Sequence, residues 1–73
     1  MSEVIGARGT VSVAIRGPDG PGEVMLRYRG GTEAYVAYSD RPIPSGTTVV
    51  VYDHRGGRVV DVSPLGIEPT EEG

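Results

Sequence analysis

The sequence contains no cysteine, phenylalanine, tryptophan or lysine, and the first three absences restrict how the fold can be stabilised. Without cysteine, no disulfide can stabilise the fold. Without phenylalanine or tryptophan, the core must be built from aliphatic side chains and four tyrosines. A 73-residue chain also buries only about 60 % of its unfolded surface. A compact sheet that closes on itself is therefore favoured, since an open sheet would leave an apolar face in water.

Long hydrophobic runs are also absent. The longest, Val49 to Tyr52, has the length of a strand and falls far short of the roughly 20 residues that span a bilayer. The N-terminal residues MSEVIGARG lack the basic and apolar regions of a signal peptide. We therefore expect a soluble, cytoplasmic protein.

The net charge of −3 is unevenly distributed along the chain. Between Gly6 and Val62, seven arginines nearly balance six acidic residues, and the excess acid lies near the two termini. A nearly neutral body argues against strong electrostatic attraction to nucleic acid.

Glycine and proline divide the chain into short segments of alternating polarity. Such alternation, bounded by turn residues, is typical of antiparallel strands in an all-β barrel or sandwich. The third segment is ambiguous, because Val36 and Tyr38 on one face compete with Tyr35 and Ala37 on the other. The five segments are residues 10–15, 23–29, 32–39, 47–53 and 58–63.

The connections between these segments indicate the topology. Gly30-Gly31 and Gly56-Gly57 predict tight hairpin turns that need positive φ. The link over residues 39–46 is too long for a tight hairpin, so the third and fourth segments need not be neighbours. This order predicts a small closed five-stranded antiparallel barrel of the OB-fold type, with an SH3-like barrel as the alternative. We place the barrel at residues 5–65, a flexible N-terminus at 1–4 and an acidic disordered tail at 66–73.

The predicted core follows from the alternation within each segment. Its members are the aliphatic residues of each inward face: Val11, Val13, Ile15, Val24, Leu26, Val36, Ala37, Ile43, Val49, Val51, Val60 and Val62.

Four stretches of the sequence carry a family resemblance. They are GEV at residues 22–24, AYSD at 37–40, IPSGTTVVV at 43–51 and VDVSP at 60–64. In this order they resemble the C-terminal soluble domain of NfeD-like proteins, in which a G-x-V…A-x-S…I-P-x-G-T-x-V-x-V pattern runs through a five-stranded OB-fold barrel. The resemblance covers roughly residues 5–65.

The resemblance implies a role in protein–protein contact. NfeD-like proteins are typically membrane proteins whose genes accompany those of stomatin- and flotillin-like proteins. This sequence has neither the transmembrane helices nor the serine-protease domain that can precede the barrel, so it is a stand-alone member or a piece of a longer one. The resemblance implies a stomatin/flotillin-like partner, with membrane contact only through that partner. A homo-oligomer is a further possibility.

No catalytic, cofactor or metal site is predicted from the residues. His54 is the sole histidine, and its position at a strand tip suits an exposed turn residue better than a general base. Asp53 and His54 are adjacent and would point to opposite faces of a strand, so they could not chelate together. The glycine-rich residues 17–22 lack the Lys-Ser/Thr pair of a phosphate loop. We therefore expect a protein that is not an enzyme.

Two surfaces are candidates for function. A protein-contact surface would use outward-facing apolar residues, whose alternative roles are a second edge of the core or a dimer contact. Single-stranded nucleic acid would instead need aromatic residues within a basic groove. The candidates for protein contact are Met25, Tyr35, Val50, Tyr52 and Val59, and those for nucleic acid are Arg27, Arg29, Tyr38 and Arg41.

Overall fold

The structure is a computed structural model that describes residues 4–65. Within this range the chain is all-β apart from a single turn of 3₁₀ helix at Gly17–Asp19. No helix in these residues has the length and apolar character needed to cross a membrane. The strands are β1 (Arg8–Val13), β2 (Ile15–Arg16), β3 (Gly22–Tyr28), β4 (Gly31–Tyr38), β5 (Pro42–Ile43), β6 (Thr48–Gly56) and β7 (Val59–Pro64).

Five of the strands close into a barrel in the order β1-β3-β4-β7-β6, with β6 pairing back onto β1. The closed five-stranded barrel predicted from the sequence is thus confirmed. β7 lies between β4 and β6, so the third and fourth predicted segments are indeed not neighbours. This is the strand order of an OB fold. The short strands β2 and β5 form a separate pair beside the barrel.

The sequence predicted that all the strands are antiparallel. In the structure, β4 and β7 run parallel. The reason is geometric. Directions that alternate around a closed ring require an even number of strands, and this ring has five. At least one pair must therefore be parallel, and here it is β4 and β7, which are separated along the chain by β5 and β6.

The barrel encloses an aliphatic core that matches the prediction except at four positions. Val13 and Val36 were predicted inside but are exposed. Val4 and Tyr35 are buried with the core instead, although Val4 precedes the predicted start of the barrel. The buried apolar residues are Val4, Val11, Ile15, Val24, Leu26, Tyr35, Ala37, Ile43, Val49, Val51, Val60 and Val62.

A β-bulge in β1 explains the exposure of Val13. Val11 pairs with Val24, but Val13 pairs with Glu23, so one extra residue, Ser12, is accommodated between them. A bulge of this kind shifts the alternation of inward and outward side chains by one position. Val13 therefore points outward, and the chain turns inward again at Ile15, where β2 begins.

The ambiguous third segment is settled by its pairing with β3. Tyr35 pairs with the buried Val24, and Val36 pairs with Glu23. Tyr35 and Ala37 consequently face the core, whereas Val36 is 41 % exposed. The prediction that Tyr35 faces outward was wrong, since its ring is needed to fill an interior without phenylalanine or tryptophan.

The β3–β4 turn is displaced by one residue from its predicted position. Tyr28 pairs with Gly31, so the central residues of the turn are Arg29 and Gly30, with φ of +57° and +78°. Positive φ at both central positions is the requirement of a type I′ hairpin turn. Arg29 thus occupies a left-handed conformation that is uncommon for a residue with a side chain.

Candidate functional site

A row of exposed valines crosses the outside of the barrel. On β3, Glu23 pairs with Val13 of β1 on one side and with Val36 of β4 on the other. Val36 in turn pairs with Val59 of β7. Val13 and Val36 are 55 % and 41 % exposed, and Val59 is half-buried. We call Val13, Val36 and Val59 the outer valine row.

A single carboxylate interrupts the outer valine row. The Ser12 hydroxyl donates a hydrogen bond of 2.6 Å to Oε1 of Glu23, and its oxygen lies 3.2 Å from the Glu23 carbonyl. The extra residue of the β1 bulge therefore holds this carboxylate in place. An apolar strip with one fixed negative charge is a surface that can discriminate between partners.

The structure divides the predicted protein-contact residues among several places. Met25 follows Glu23 on the outer face of β3 and is half-buried beside the outer valine row, to which Val59 itself belongs. Val50 is half-buried on β6, beside Arg8 and away from the row. Tyr52 is 55 % exposed and lines a hollow between β6 and β7 that is described below, and Tyr35 is in the core. Sequence reasoning missed Val13 and Val36, because only the strand register reveals that they share Glu23 as a neighbour.

A hollow of about 320 Å³ lies where β6 passes β7. Two residues of β6, Tyr52 and Arg55, are skipped in the register between these strands, and both line the hollow. Irregularities of this kind re-aim side chains. The remaining lining residues are Gly17, Pro18, Gly20, Tyr38, Ser39, Asp40 and Asp61.

Arg55 makes several polar and stacking contacts within this hollow. Its guanidinium donates two hydrogen bonds to Asp61, from Nε to Oδ2 at 2.9 Å and from Nη2 to Oδ1 at 2.8 Å. It also stacks over the ring of Tyr38, 4.0 Å from the centroid. The hydrogen bonding to Asp61 raises the pKa of the Arg55 guanidinium above its ordinary value. Asp61 is buried beneath this stack, although it lies between the core residues Val60 and Val62, where alternation would direct its side chain to solvent.

The predicted nucleic-acid residues lie at two separate places. Arg27 and Arg29 line a hollow of about 300 Å³ at the β3–β4 turn. Tyr38 is at the other end of β4, six residues beyond the partner of Arg27, which corresponds to about 20 Å of strand. Arg41 follows Tyr38 and lies 3.7 Å from the Asp40 carboxylate. The four residues therefore do not form one groove.

His54 is tied to the turn that follows it. Its ring Nε2 lies 3.0 Å from the carbonyl oxygen of Gly57, and its backbone N–H donates to Asp53. These contacts are those of a turn residue. Within residues 4–65, no three His, Cys, Asp or Glu side chains converge as metal ligands would.

Comparison with known proteins agrees with this geometry. The sequence pattern of the NfeD C-terminal domain matches residues 8–63, which span the barrel up to the penultimate residue of β7. No curated protein sequence matches the chain. The solution structure of the soluble domain of the NfeD protein YuaF from Bacillus subtilis is similar, with a TM-score of 0.70 and 39 % identity, over 82 % of this chain and 71 % of that one. The chain therefore belongs to the NfeD C-terminal domain family.

Proposed function

We propose that this NfeD-family barrel is a non-catalytic module that binds another protein through the outer valine row and Met25. The observation that carries the proposal is the exposure of Val13 and Val36 on either side of Glu23. A barrel this small has few large apolar residues, and adjacent exposed ones commonly mark a contact surface. Transferring these half-exposed side chains into an interface would contribute roughly 1 kcal/mol each.

Glu23 specifies what the partner must present. A carboxylate covered by an apolar surface loses hydration and has to be compensated by a donor or a cation. We therefore expect the partner to offer an apolar surface with one basic or hydrogen-bond-donating group facing Glu23. A surface lacking that group would bind more weakly in spite of equal apolar area.

The partner we propose is a stomatin- or flotillin-like membrane-associated protein. The support is the family, whose members resemble this chain in the motifs of residues 22–24, 37–40 and 43–51. In this proposal the barrel lies in the cytoplasm and reaches the inner face of the membrane only through its partner. A homodimer formed through the outer valine row is the competing occupant of the same surface.

The test is a binding titration with a purified stomatin- or flotillin-like protein from the same organism. Val13→Ser combined with Val36→Ser should weaken binding by about ten-fold or more, because two apolar contacts are lost. Val50→Ser is the matched control, since Val50 is a half-buried outer valine away from the row. Equal affinities of wild type, the double variant and Val50→Ser for the partner would exclude the proposed contact. Self-association of the wild type that the double variant abolishes would assign the surface to a homodimer instead.

Nucleic acid binding is tested separately with a labelled single-stranded oligonucleotide at low and moderate salt. We expect no binding in the micromolar range, because Arg27 and Arg29 lie about 20 Å of strand away from Tyr38. Binding that weakens with salt and with Arg27→Ala would replace the protein-contact proposal.

A further inference from the structure

Two arginines stand side by side on the outside of the barrel. Arg8 of β1 and Arg27 of β3 are direct cross-strand partners, and both are exposed. Side chains at such positions start from Cβ atoms about 5 Å apart. Among residues 4–65, neither guanidinium forms an ion pair with an acidic side chain. Their other neighbours on this face are also not acidic: Val50, Thr10, Met25 and Thr32.

This arrangement works against stability. Like charges directly opposite each other in a sheet repel and destabilise the pair of strands. The repulsion would be relieved if an anion bridged the two guanidinium groups.

The adjacent turn adds a third arginine and a concave surface. Arg29 adopts a φ of +57°, where asparagine or glycine is the usual residue of a type I′ turn. Its guanidinium lies 5.6 Å from the centroid of the Tyr28 ring. Arg27, Tyr28 and Arg29 line the hollow of about 300 Å³ at this turn. Arg27 thus belongs both to the charge pair with Arg8 and to the lining of this hollow, and the unfavourable backbone conformation of Arg29 lies two residues along the chain. Unfavourable features of this kind cluster at binding sites.

We propose that Arg8, Arg27 and Arg29, the basic corner, bind a phosphate group. Planar guanidinium groups donate paired hydrogen bonds to phosphate oxygens. A phosphate monoester carries close to two negative charges at neutral pH, so it can balance Arg8 and Arg27 together, where a single carboxylate would not. The phosphate could belong to a small soluble phosphomonoester or to a lipid headgroup, and the chemistry at the corner is the same.

The basic corner is separate from the outer valine row. On β3, Arg27 is four residues from Glu23, which corresponds to about 13 Å. Met25 of the proposed contact surface lies between Glu23 and Arg27, so the two surfaces adjoin, but the phosphate proposal does not depend on the proposed protein contact.

The first experiment measures thermal unfolding in sodium phosphate and in sodium chloride at equal ionic strength. Phosphate should raise the midpoint of the wild-type protein more than that of Arg27→Gln or Arg8→Gln. The comparison between variants is needed because phosphate also stabilises proteins by exclusion from their surfaces. In chloride, Arg27→Gln should be at least as stable as wild type, since it removes the repulsion. Arg41→Gln, at an exposed arginine beside Asp40, should keep the wild-type phosphate response.

The second experiment measures sedimentation with phosphatidylcholine vesicles, with and without phosphatidic acid. If the source is a lipid headgroup, wild type and Arg41→Gln should bind the phosphatidic acid vesicles, and Arg27→Gln should bind about ten-fold more weakly. If the source is a soluble phosphomonoester, only the first experiment should respond. Phosphate effects and vesicle binding that are both unchanged by Arg27→Gln and Arg8→Gln would overturn the proposal.

Discussion

Val13 and Val36 flank the same residue, Glu23, from the two strands that pair with β3. Because directly paired residues in a sheet point to the same face, the outward direction of Glu23 requires both valines to point outward as well. The two residues that alternation placed in the core are therefore brought together on the surface, and this pairing creates the outer valine row.

The first prediction compares the effects of a surface substitution and a core substitution on the free energy of unfolding. Val36→Ser should change the free energy of unfolding by less than about 0.5 kcal/mol, as expected for an exposed position. Leu26→Ala should cost about 2–4 kcal/mol, since Leu26 is fully buried. Urea unfolding of both variants checks the difference. A cost at Val36 similar to that at Leu26 would mean that Val36 belongs to the core after all.

The second prediction concerns Gly9, at which β1 passes close to β3. A Cβ at this position would overlap the carbonyl oxygen of Met25 and lie 2.8 Å from Cδ2 of Leu26. Gly9→Ala should therefore destabilise the barrel by about 1–3 kcal/mol. Gly31→Ala is the matched control, because its Cβ would meet nothing closer than 4.0 Å. Equal midpoints for the two variants in thermal unfolding would show that β1 and β3 can separate without cost.

The third prediction concerns the strained turn at Arg29. Asparagine tolerates the left-handed conformation better than arginine, and Asn-Gly is the preferred pair in a type I′ turn. Arg29→Asn should therefore stabilise the protein by about 0.5–1 kcal/mol. It should also weaken the phosphate response of the basic corner. A loss of stability in urea unfolding would indicate that the contacts of Arg29, including that with Tyr28, outweigh the backbone strain.

The fourth prediction concerns the Arg55–Asp61 pair. Arg55→Gln should lower the thermal midpoint, because it leaves the Asp61 carboxylate, only 13 % exposed, without its two charged donors. Combining it with Asp61→Asn should recover part of the loss, since the buried charge is removed too. Arg41→Gln provides the control for loss of an exposed arginine. A double variant that is less stable than Arg55→Gln alone would contradict this explanation.

The pH dependence of that pair follows from the raised pKa of Arg55. A group whose pKa is raised in the folded state contributes its full stability below the unfolded pKa and loses it as the pH rises through the folded value. Both values for arginine lie far into the alkaline range, so the contribution of Arg55 should not change up to about pH 10. Midpoints of wild type and Arg55→Gln measured across neutral and moderately alkaline pH should therefore differ by a constant amount.

The sequence was sufficient for the barrel, because its five segments alternate clearly and its breakers mark the turns. It was insufficient wherever the strand register determines which side chains point into the core. The bulge at Ser12 reverses the direction of Val13, and no local signal in the sequence marks that extra residue. In β4 both faces carry apolar side chains, so only the pairing of Tyr35 with Val24 identifies the inner one.

In the candidate site, too, alternation predicted some features, and others depend on the strand register. Met25 and Val59 were predicted as outer residues from alternation alone, and in the structure Val59 belongs to the outer valine row and Met25 adjoins it. Alternation does not predict the burial of Asp61. Its carboxylate is covered by Arg55, which is skipped in the register between β6 and β7, and that irregularity directs the Arg55 side chain over β7. The presence of a parallel pair, by contrast, could have been predicted, because strand directions cannot alternate fully around a closed ring of five strands; the structure identifies that pair as β4 and β7.

The central claim, that the outer valine row is a protein-contact surface, is tested most directly by methyl NMR. The barrel, labelled at its valine and methionine methyl groups, would be titrated with the purified stomatin- or flotillin-like protein. The signals of Val13, Val36, Val59 and Met25 should shift or broaden first, while that of Val50 should change little. Perturbation centred on Val50, or no perturbation at concentrations that saturate binding, would contradict the claim.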